Sequence, residues 1–142
     1  MRIALGADDS APLVDALVRA LEARGHTLVR FGKAFGDEEQ WGHTALRLAR
    51  AVASGAAEQG VVCCWTGTGV TIAANKLKGV RCALSGDAET ARGARKWNDA
   101  NVLALSLRKT SIPVMQEILE AWFSETYAGT EDESLCAIRD VE

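Results

Sequence analysis

The stretch Cys64-Trp65-Thr66-Gly67-Thr68-Gly69 concentrates more chemistry than any other part of the chain. It ends the apolar run GVVCCW at 60–65, which reads as a strand, and it precedes a helical pattern over about 70–77. Glycines let the backbone turn sharply and approach a ligand. A helix start offers N–H groups that lack acceptors. Such a junction suits an anion, either a phosphate or an enediolate oxygen. The spacing matches neither G-x-x-x-x-G-K-[ST] nor G-x-G-x-x-G, so the usual nucleotide loops are not indicated. Cys64 stands just before the turn, where a following helix start favours a thiolate. It is either a base or an ordinary buried thiol at a strand end. Thr66 and Thr68 add hydroxyls beside it.

Two further clusters lie elsewhere in the chain. Asp8 and Asp9 follow a short apolar run at 2–6. Asp8 can face a cleft and exchange protons with hydroxyls, with Asp9 selecting the ligand. The competing use is to cap the next helix, and Asp9 or Ser10 suits that role. Arg108 follows the apolar run at 102–105 and carries a cation that can meet an anionic group. Trp41, Trp65 and Trp97 can form an apolar wall against a ligand, or they pack in the core or between subunits. Trp122 reads as core, on the apolar side of a helix. His43 is open to a site or a capping role, and His26 reads as a surface residue.

These residues need a scaffold, and the periodicity supplies one. Strands are expected at 2–6, 26–31, 60–65, 81–84 and 102–105. Helices are expected at 11–24, 40–53, 70–77, 87–96 and 111–126, with one or two further turns in the tail after 131. Gly25 and Gly55 read as helix stops. A loop over 33–39 separates the second strand from its helix. Alternating strands and helices imply a parallel sheet covered on both faces. The expected fold class is α/β, a Rossmann-like three-layer α/β/α sandwich with a five-stranded parallel sheet. Ligands of such sheets sit beyond the carboxyl ends of the strands, where strand order reverses. Asp8, Cys64–Gly69 and Arg108 all fall at carboxyl ends.

Bulk properties narrow the partners. The 142 residues fit one domain, 1–142, with a core that needs no staples. A formal charge of −3 argues against nucleic acid, which needs a basic stripe. No apolar stretch approaches the ~20 residues of a membrane span, and no leader is visible. Four cysteines without a C-x-x-C pair and only two histidines give no metal set. A reduced, cytoplasmic protein with no metal and no cofactor is expected.

The stretch GVVCCWTGTGVTIAANKLKGVRCAL, followed by WNDANVLAL and preceded by IALGADD, resembles the ribose-5-phosphate isomerase B and galactose-6-phosphate isomerase family. That family carries a Cys-Gly-Thr-Gly-x-Gly loop, an alanine-rich helix with Asn-Lys, and an Asn-Asp-x-Asn-Val strand entry. The resemblance spans nearly the whole chain. It implies a homodimer or dimer of dimers, with a site at the subunit interface, and metal-free aldose–ketose isomerisation through a cis-enediol. The ligand it implies is a small-molecule sugar or sugar phosphate. Residue by residue, Cys64 matches the base that takes the proton beside the carbonyl, and Thr66 matches the hydroxyl assisting it. Gly67 and Gly69 match the amides that stabilise the enediolate. Asp8 matches the acid linked to sugar hydroxyls. Asn98 matches a polar residue supplied to the partner's site, and Arg108 an arginine that reaches a phosphate.

Departures cluster in the substrate pocket. Asp9 stands where the family often has histidine, and Trp97 where it has its ring-opening histidine. Trp41 keeps an aromatic in kind. Thr130 and Ser134 align with two phosphate-binding arginines of the tail. An acid ~4 Å from a phosphate costs about 4 kcal/mol at an effective dielectric of ~20. The expected substrate is therefore a different sugar, non-phosphorylated or short-chain, rather than ribose 5-phosphate. Arg92, Arg95, Lys96 or Arg139 offers another route to a phosphate site. The rival reading is a catalytically weak sugar- or sugar-phosphate-binding or regulatory protein on the same fold. Cys64, Thr66, Asp8 and the glycines occurring together favour the enzyme.

Overall fold

The computed structural model describes all residues 1–142. Five strands, β1 (Arg2–Ala7), β2 (Thr27–Phe31), β3 (Gln59–Cys64), β4 (Cys82–Leu84) and β5 (Val102–Ser106), form one sheet of order β2-β1-β3-β5-β4. Every neighbouring pair is parallel. The helices are α1 (Pro12–Ala23), α2 (Trp41–Ala53), α3 (Thr68–Ala74), α4 (Ala88–Lys96), α5 (Ile112–Phe123) and α6 (Asp132–Arg139). No helix is long and apolar enough to cross a membrane.

Alternation along the strands sends side chains to two faces. Ile3, Leu5, Val61, Cys63, Leu103 and Leu105 join residues of α1, α4 and α5 in one apolar cluster. Ala4, Val62, Cys64, Val102 and Ala104 join α2 and α3 in the other. The result is the expected three-layer sandwich. Trp122 is fully buried in the first cluster, and its Nε1 donates to Gln59 Oε1 at 2.7 Å.

Boundaries moved where side chains competed with the backbone. Asp9 and Ser10 do not cap α1: Ala11 holds the cap position without a side-chain bond, and Asp9 Oδ1 instead accepts the Ser10 N–H at 2.8 Å. Asp87 does cap α4, accepting the Thr90 N–H at 2.7 Å. α3 starts earlier than its pattern suggested and ends at Ala74. Asn75 stops it by turning to the edge strand, where its amide exchanges bonds of 2.7 and 2.8 Å with the Cys82 backbone. His43 caps nothing; it is exposed in the first turn of α2 behind the cap Gln40. His26 is half-buried against Phe123, with ring centroids 4.6 Å apart, rather than a free surface residue.

Candidate active site

In this strand order the crossover direction reverses between β1 and β3, so their carboxyl ends frame the crevice where such sheets bind ligands. Cys64 ends β3, and Ala7, the last residue of β1, pairs with Cys63. Asp8 therefore leaves the sheet beside Cys64. On the other side, Ser106 pairs with Cys64, and the turn after β5 folds back onto the loop. Leu107 N–H donates to the Cys64 carbonyl, and Arg108 N–H to the Trp65 carbonyl, both at 3.0 Å. Ser106 Oγ donates to the same Trp65 oxygen at 3.0 Å.

The backbone is held this firmly because β3 must stop abruptly. Gly67 has φ +78, a conformation that side chains disfavour, and a Cβ there would lie 2.5 Å from Leu84 Cδ1. The turn brings the Gly67 N–H within 3.2 Å of Cys64 Sγ. An N–H donor is better matched to a thiolate than to a thiol. The Gly67 amide is thus engaged by the sulfur, while the amides opening α3, from Thr68 onward, have no intrahelical acceptor. Gly67 supplies no side-chain cap to them. Thr66 and Thr68 share a hydroxyl–hydroxyl bond of 2.7 Å at the loop's exposed edge.

Asp8 is half-buried, and its Oδ1 is buried without a hydrogen-bond partner. Burial, reinforced by the neighbouring Asp9 charge, raises its carboxyl above the ordinary range; a local backbone bond and the Lys33 charge oppose that rise. Cys63, one residue before Cys64, is buried on the opposite face, and burial drives its thiol far above the usual range. Of the two neighbours, only Cys64 is turned toward the loop.

Tryptophans divide between the ends of the sheet. Trp41, at the start of α2, lies on Gly69, where a Cβ would come 2.9 Å from its ring. Trp65 is 62 % exposed, its backbone clamped and its indole free above the cleft. The apolar run 60–65 suggests a strand that includes it; the left-handed turn at Gly67 ends β3 one residue earlier, at Cys64. Trp97 and Asn98 are elsewhere. They precede β5, whose carboxyl end adjoins Cys64, so the ~13 Å rise of that strand separates them from the sulfur. Trp97 folds back over Gly93. Asp99 takes φ +46, and Arg81 fixes it through Nη2 to Oδ2 at 2.9 Å and Nε to its carbonyl at 2.7 Å.

The tail keeps company with that second region. Ala128 N–H donates to the Lys96 carbonyl at 2.9 Å, which sets Thr130 and Ser134 beyond the same end of the sheet. A cavity of about 700 Å³ there is bounded by Asn98, Lys76, Arg81, Ile138 and Val141 and includes none of the Cys64 loop. One chain thus brings together Asp8, Asp9, Trp41, Cys64, Trp65, Thr66, Gly67, Thr68, Gly69 and Arg108. It holds Trp97 and Asn98 apart, at the opposite end of the sheet. No three His, Cys, Asp or Glu side chains converge to hold a metal. Lys33, which faces Asp8, escaped the sequence reading as part of a loop. The rule that selected the other carboxyl-end residues selects it too, since it follows β2.

The sequence pattern described as Ribose/Galactose Isomerase matches residues 3–137. The chain is 34% identical over 133 residues to galactose-6-phosphate isomerase subunit LacB of Clostridium acetobutylicum, covering 93% of this chain and 77% of that protein. It is 33% identical to ribose-5-phosphate isomerase B of Escherichia coli, covering 90% and 87%. It is 34% identical to D-erythrulose-4-phosphate isomerase of Pectobacterium atrosepticum, covering 91% and 86%. Among solved structures, ribose-5-phosphate isomerase B of Clostridium thermocellum superposes with a TM-score of 0.93 at 31% identity, covering 99% of this chain and 97% of that one. The type B enzyme of Trypanosoma brucei gives 0.91 at 36%, covering 99% and 98%.

Proposed function

Since the chain belongs to the ribose/galactose isomerase family, we propose that it is an aldose–ketose isomerase in which Cys64 is the base and a short, open-chain sugar the substrate. The observation that carries this reading is the Cys64 thiol at the reversal point of the sheet, with the Gly67 N–H 3.2 Å from its sulfur. A thiolate so held takes the proton from the carbon beside the carbonyl. The electron pair moves onto the carbonyl oxygen, giving an enediolate. The amides opening α3 meet that negative charge. The thiol then returns the proton to the adjacent carbon, and Asp8 and Thr66 pass the hydroxyl proton between the two oxygens. Every group in this scheme belongs to one chain; Asn98 would enter from a partner.

Substrate length follows from what stands at the mouth. Trp65 occupies a position that is glycine in the family pattern, and its indole stands free directly after the base. Trp97 cannot supply the proton that opens a sugar ring. His26 does not replace it, since it sits against Phe123; His43, exposed in the first turn of α2 two residues after Trp41, is the one histidine near the site. A four-carbon ketose, or a four-carbon aldose phosphorylated on its fourth carbon, has no free hydroxyl placed to close a five-membered ring and needs no such proton. The relative named for D-erythrulose 4-phosphate is consistent with such a substrate.

The test is solvent deuterium incorporation followed by NMR, with free and phosphorylated aldoses and ketoses of four to six carbons. Exchange into a four-carbon sugar, lost in Cys64→Ala, supports the proposal. Efficient exchange into ribose 5-phosphate overturns the substrate reading. Silence across the panel from folded protein favours a binding protein instead.

A further inference from the structure

Beside Asp8, on the side away from Cys64, stands a cation that the scheme above does not use. The parallel register pairs Gly6 with Phe31. Two residues further on, Asp8 and Lys33 leave the sheet side by side. Their approach is fixed from below, because Gly32 packs so tightly on β1 that a Cβ would run into the Ala7 carbonyl oxygen. It is fixed from behind by Asp37, whose Oδ2 accepts the Gly32 N–H at 2.8 Å and Arg47 Nη1 at 3.0 Å. Arg47 is shared with Glu39 at 3.1 Å. On this support Lys33 is exposed and makes no ion pair within 4.0 Å, while Asp8 Oδ1 has no hydrogen-bond partner. An ammonium without an ion pair and a buried carboxyl oxygen without a hydrogen-bond partner therefore share one edge of the crevice.

We propose that Lys33 and Asp8 clamp one substrate hydroxyl, Asp8 taking its proton and Lys33 holding the oxygen left behind. The inference rests on the isomerase reading given above. In the direction from aldose to ketose, the thiolate first draws the proton from the second carbon, leaving charge on the first oxygen. The second oxygen then loses its proton to Asp8, and its electron pair stays against the ammonium. Asp8 delivers that proton to the first oxygen and is a carboxylate again. The second oxygen becomes the carbonyl as the first carbon takes the proton back from Cys64. A buried carboxyl without a nearby cation would be a poor acceptor at neutral pH. The groups facing Asp8 are Asp9 from its own segment, Lys33 from the β2 side, and Cys63 and Cys64 from β3. Lys33 is the cation among them.

The experiment uses Lys33→Met, Lys33→Arg, Asp8→Asn and the Lys33→Met/Asp8→Asn double variant. Asp8 is titrated directly through its carboxyl carbon by NMR, which needs no activity. Removing the ammonium should move its midpoint upward, and arginine should restore it. In deuterium exchange with the active sugar, Lys33→Met should lower kcat/KM about tenfold or more, mostly in kcat. The acid limb of its pH profile should move to higher pH. The double variant should be no worse than Asp8→Asn alone, since both residues serve one oxygen. An unmoved Asp8 midpoint overturns the pairing. A moved midpoint with wild-type kinetics, or fully additive losses, overturns the clamp. Failure of the isomerase reading looks different: the unsubstituted protein itself would exchange nothing.

Discussion

Cys63 and Cys64 are neighbours in the chain and face opposite sides of β3, and the two sides are packed with different materials. Around Cys63 lie Trp122, Met115, Ile118, Leu119, Leu17 and Leu21, large side chains from α1 and α5. Around Cys64 lie mostly small ones: Ala4, Ala45, Ala49, Ala74, Val62 and Val70 from the sheet, α2 and α3. On this second side Leu48 sits so close to the sheet that a Cβ on Gly60 would come within 2.8 Å of it. The thick layer buries the greater apolar area and holds the fold. The thin layer carries short α3 and the left-handed turn, and its job is to place a thiol, several amides and a carboxyl at one edge.

The sharpest break in that comparison is chemical. Cys64→Ala should lower exchange by about 10²–10⁴-fold, the range of a lost general base, with the melting temperature little changed. Cys63→Ala should do the reverse, keeping kcat/KM while lowering stability modestly. Alkylation gives a second view. In a Cys136→Ser background, which removes the exposed thiol, iodoacetamide should label Cys64 and spare Cys63. Equal labelling of both would mean that the faces are not chemically distinct.

Trp122→Ala attacks the thick layer alone. The cavity left by a fully buried indole, together with the unpaired Gln59 amide, should cost about 3–5 kcal/mol by denaturant unfolding. The protein that remains folded should turn over normally. A large fall in kcat/KM per folded molecule would show that the layers are coupled. Gly67→Ala attacks the thin layer with a smaller perturbation. A side chain at φ +78 costs about 1–2 kcal/mol. The added methyl also meets Leu84 Cδ1 at 2.5 Å and the Leu105 carbonyl at 3.1 Å. The loop must shift and its N–H must leave the sulfur, so kcat/KM should fall more than stability does.

Much of this division was legible in the sequence. Alternation of apolar strands with amphipathic helices gave the parallel sheet, and the rule about carboxyl ends selected Asp8, the Cys64 loop and Arg108 before any geometry. Three kinds of feature were not legible. Whether Asp9 or Ser10 caps α1 depended on a loop length that periodicity does not fix. The end of α3 depended on Asn75 reaching across seven residues to Cys82, a tertiary bond that overrides local propensity. The separation of Trp97 from Trp41 and Trp65 depended on strand direction, since residues preceding and following β5 lie at opposite ends of the sheet. Lys33 has no spacing signature of its own, and only the carboxyl-end rule applied to β2 singles it out.

The gentlest probe of the thin layer is Asp8 itself. Burial raises its folded-state carboxyl pKa, with Lys33 only partly opposing the effect. A group whose folded pKa lies above its unfolded value binds protons more tightly when folded, so ionising it penalises the native state. Asp8→Asn should therefore raise the melting temperature slightly at pH 7 while lowering turnover. The gain should shrink as pH falls through the raised folded pKa toward the unfolded carboxylate range, because both states then keep the carboxyl protonated. A loss of stability at pH 7 that grows with pH would mean the opposite sign, a carboxylate held by Lys33 strongly enough to stabilise the fold. Asp8 would then belong to the structural ion pairs of the surface, and the thin layer would have lost the feature that most clearly separates it from the thick one: a charged group kept at a cost to stability.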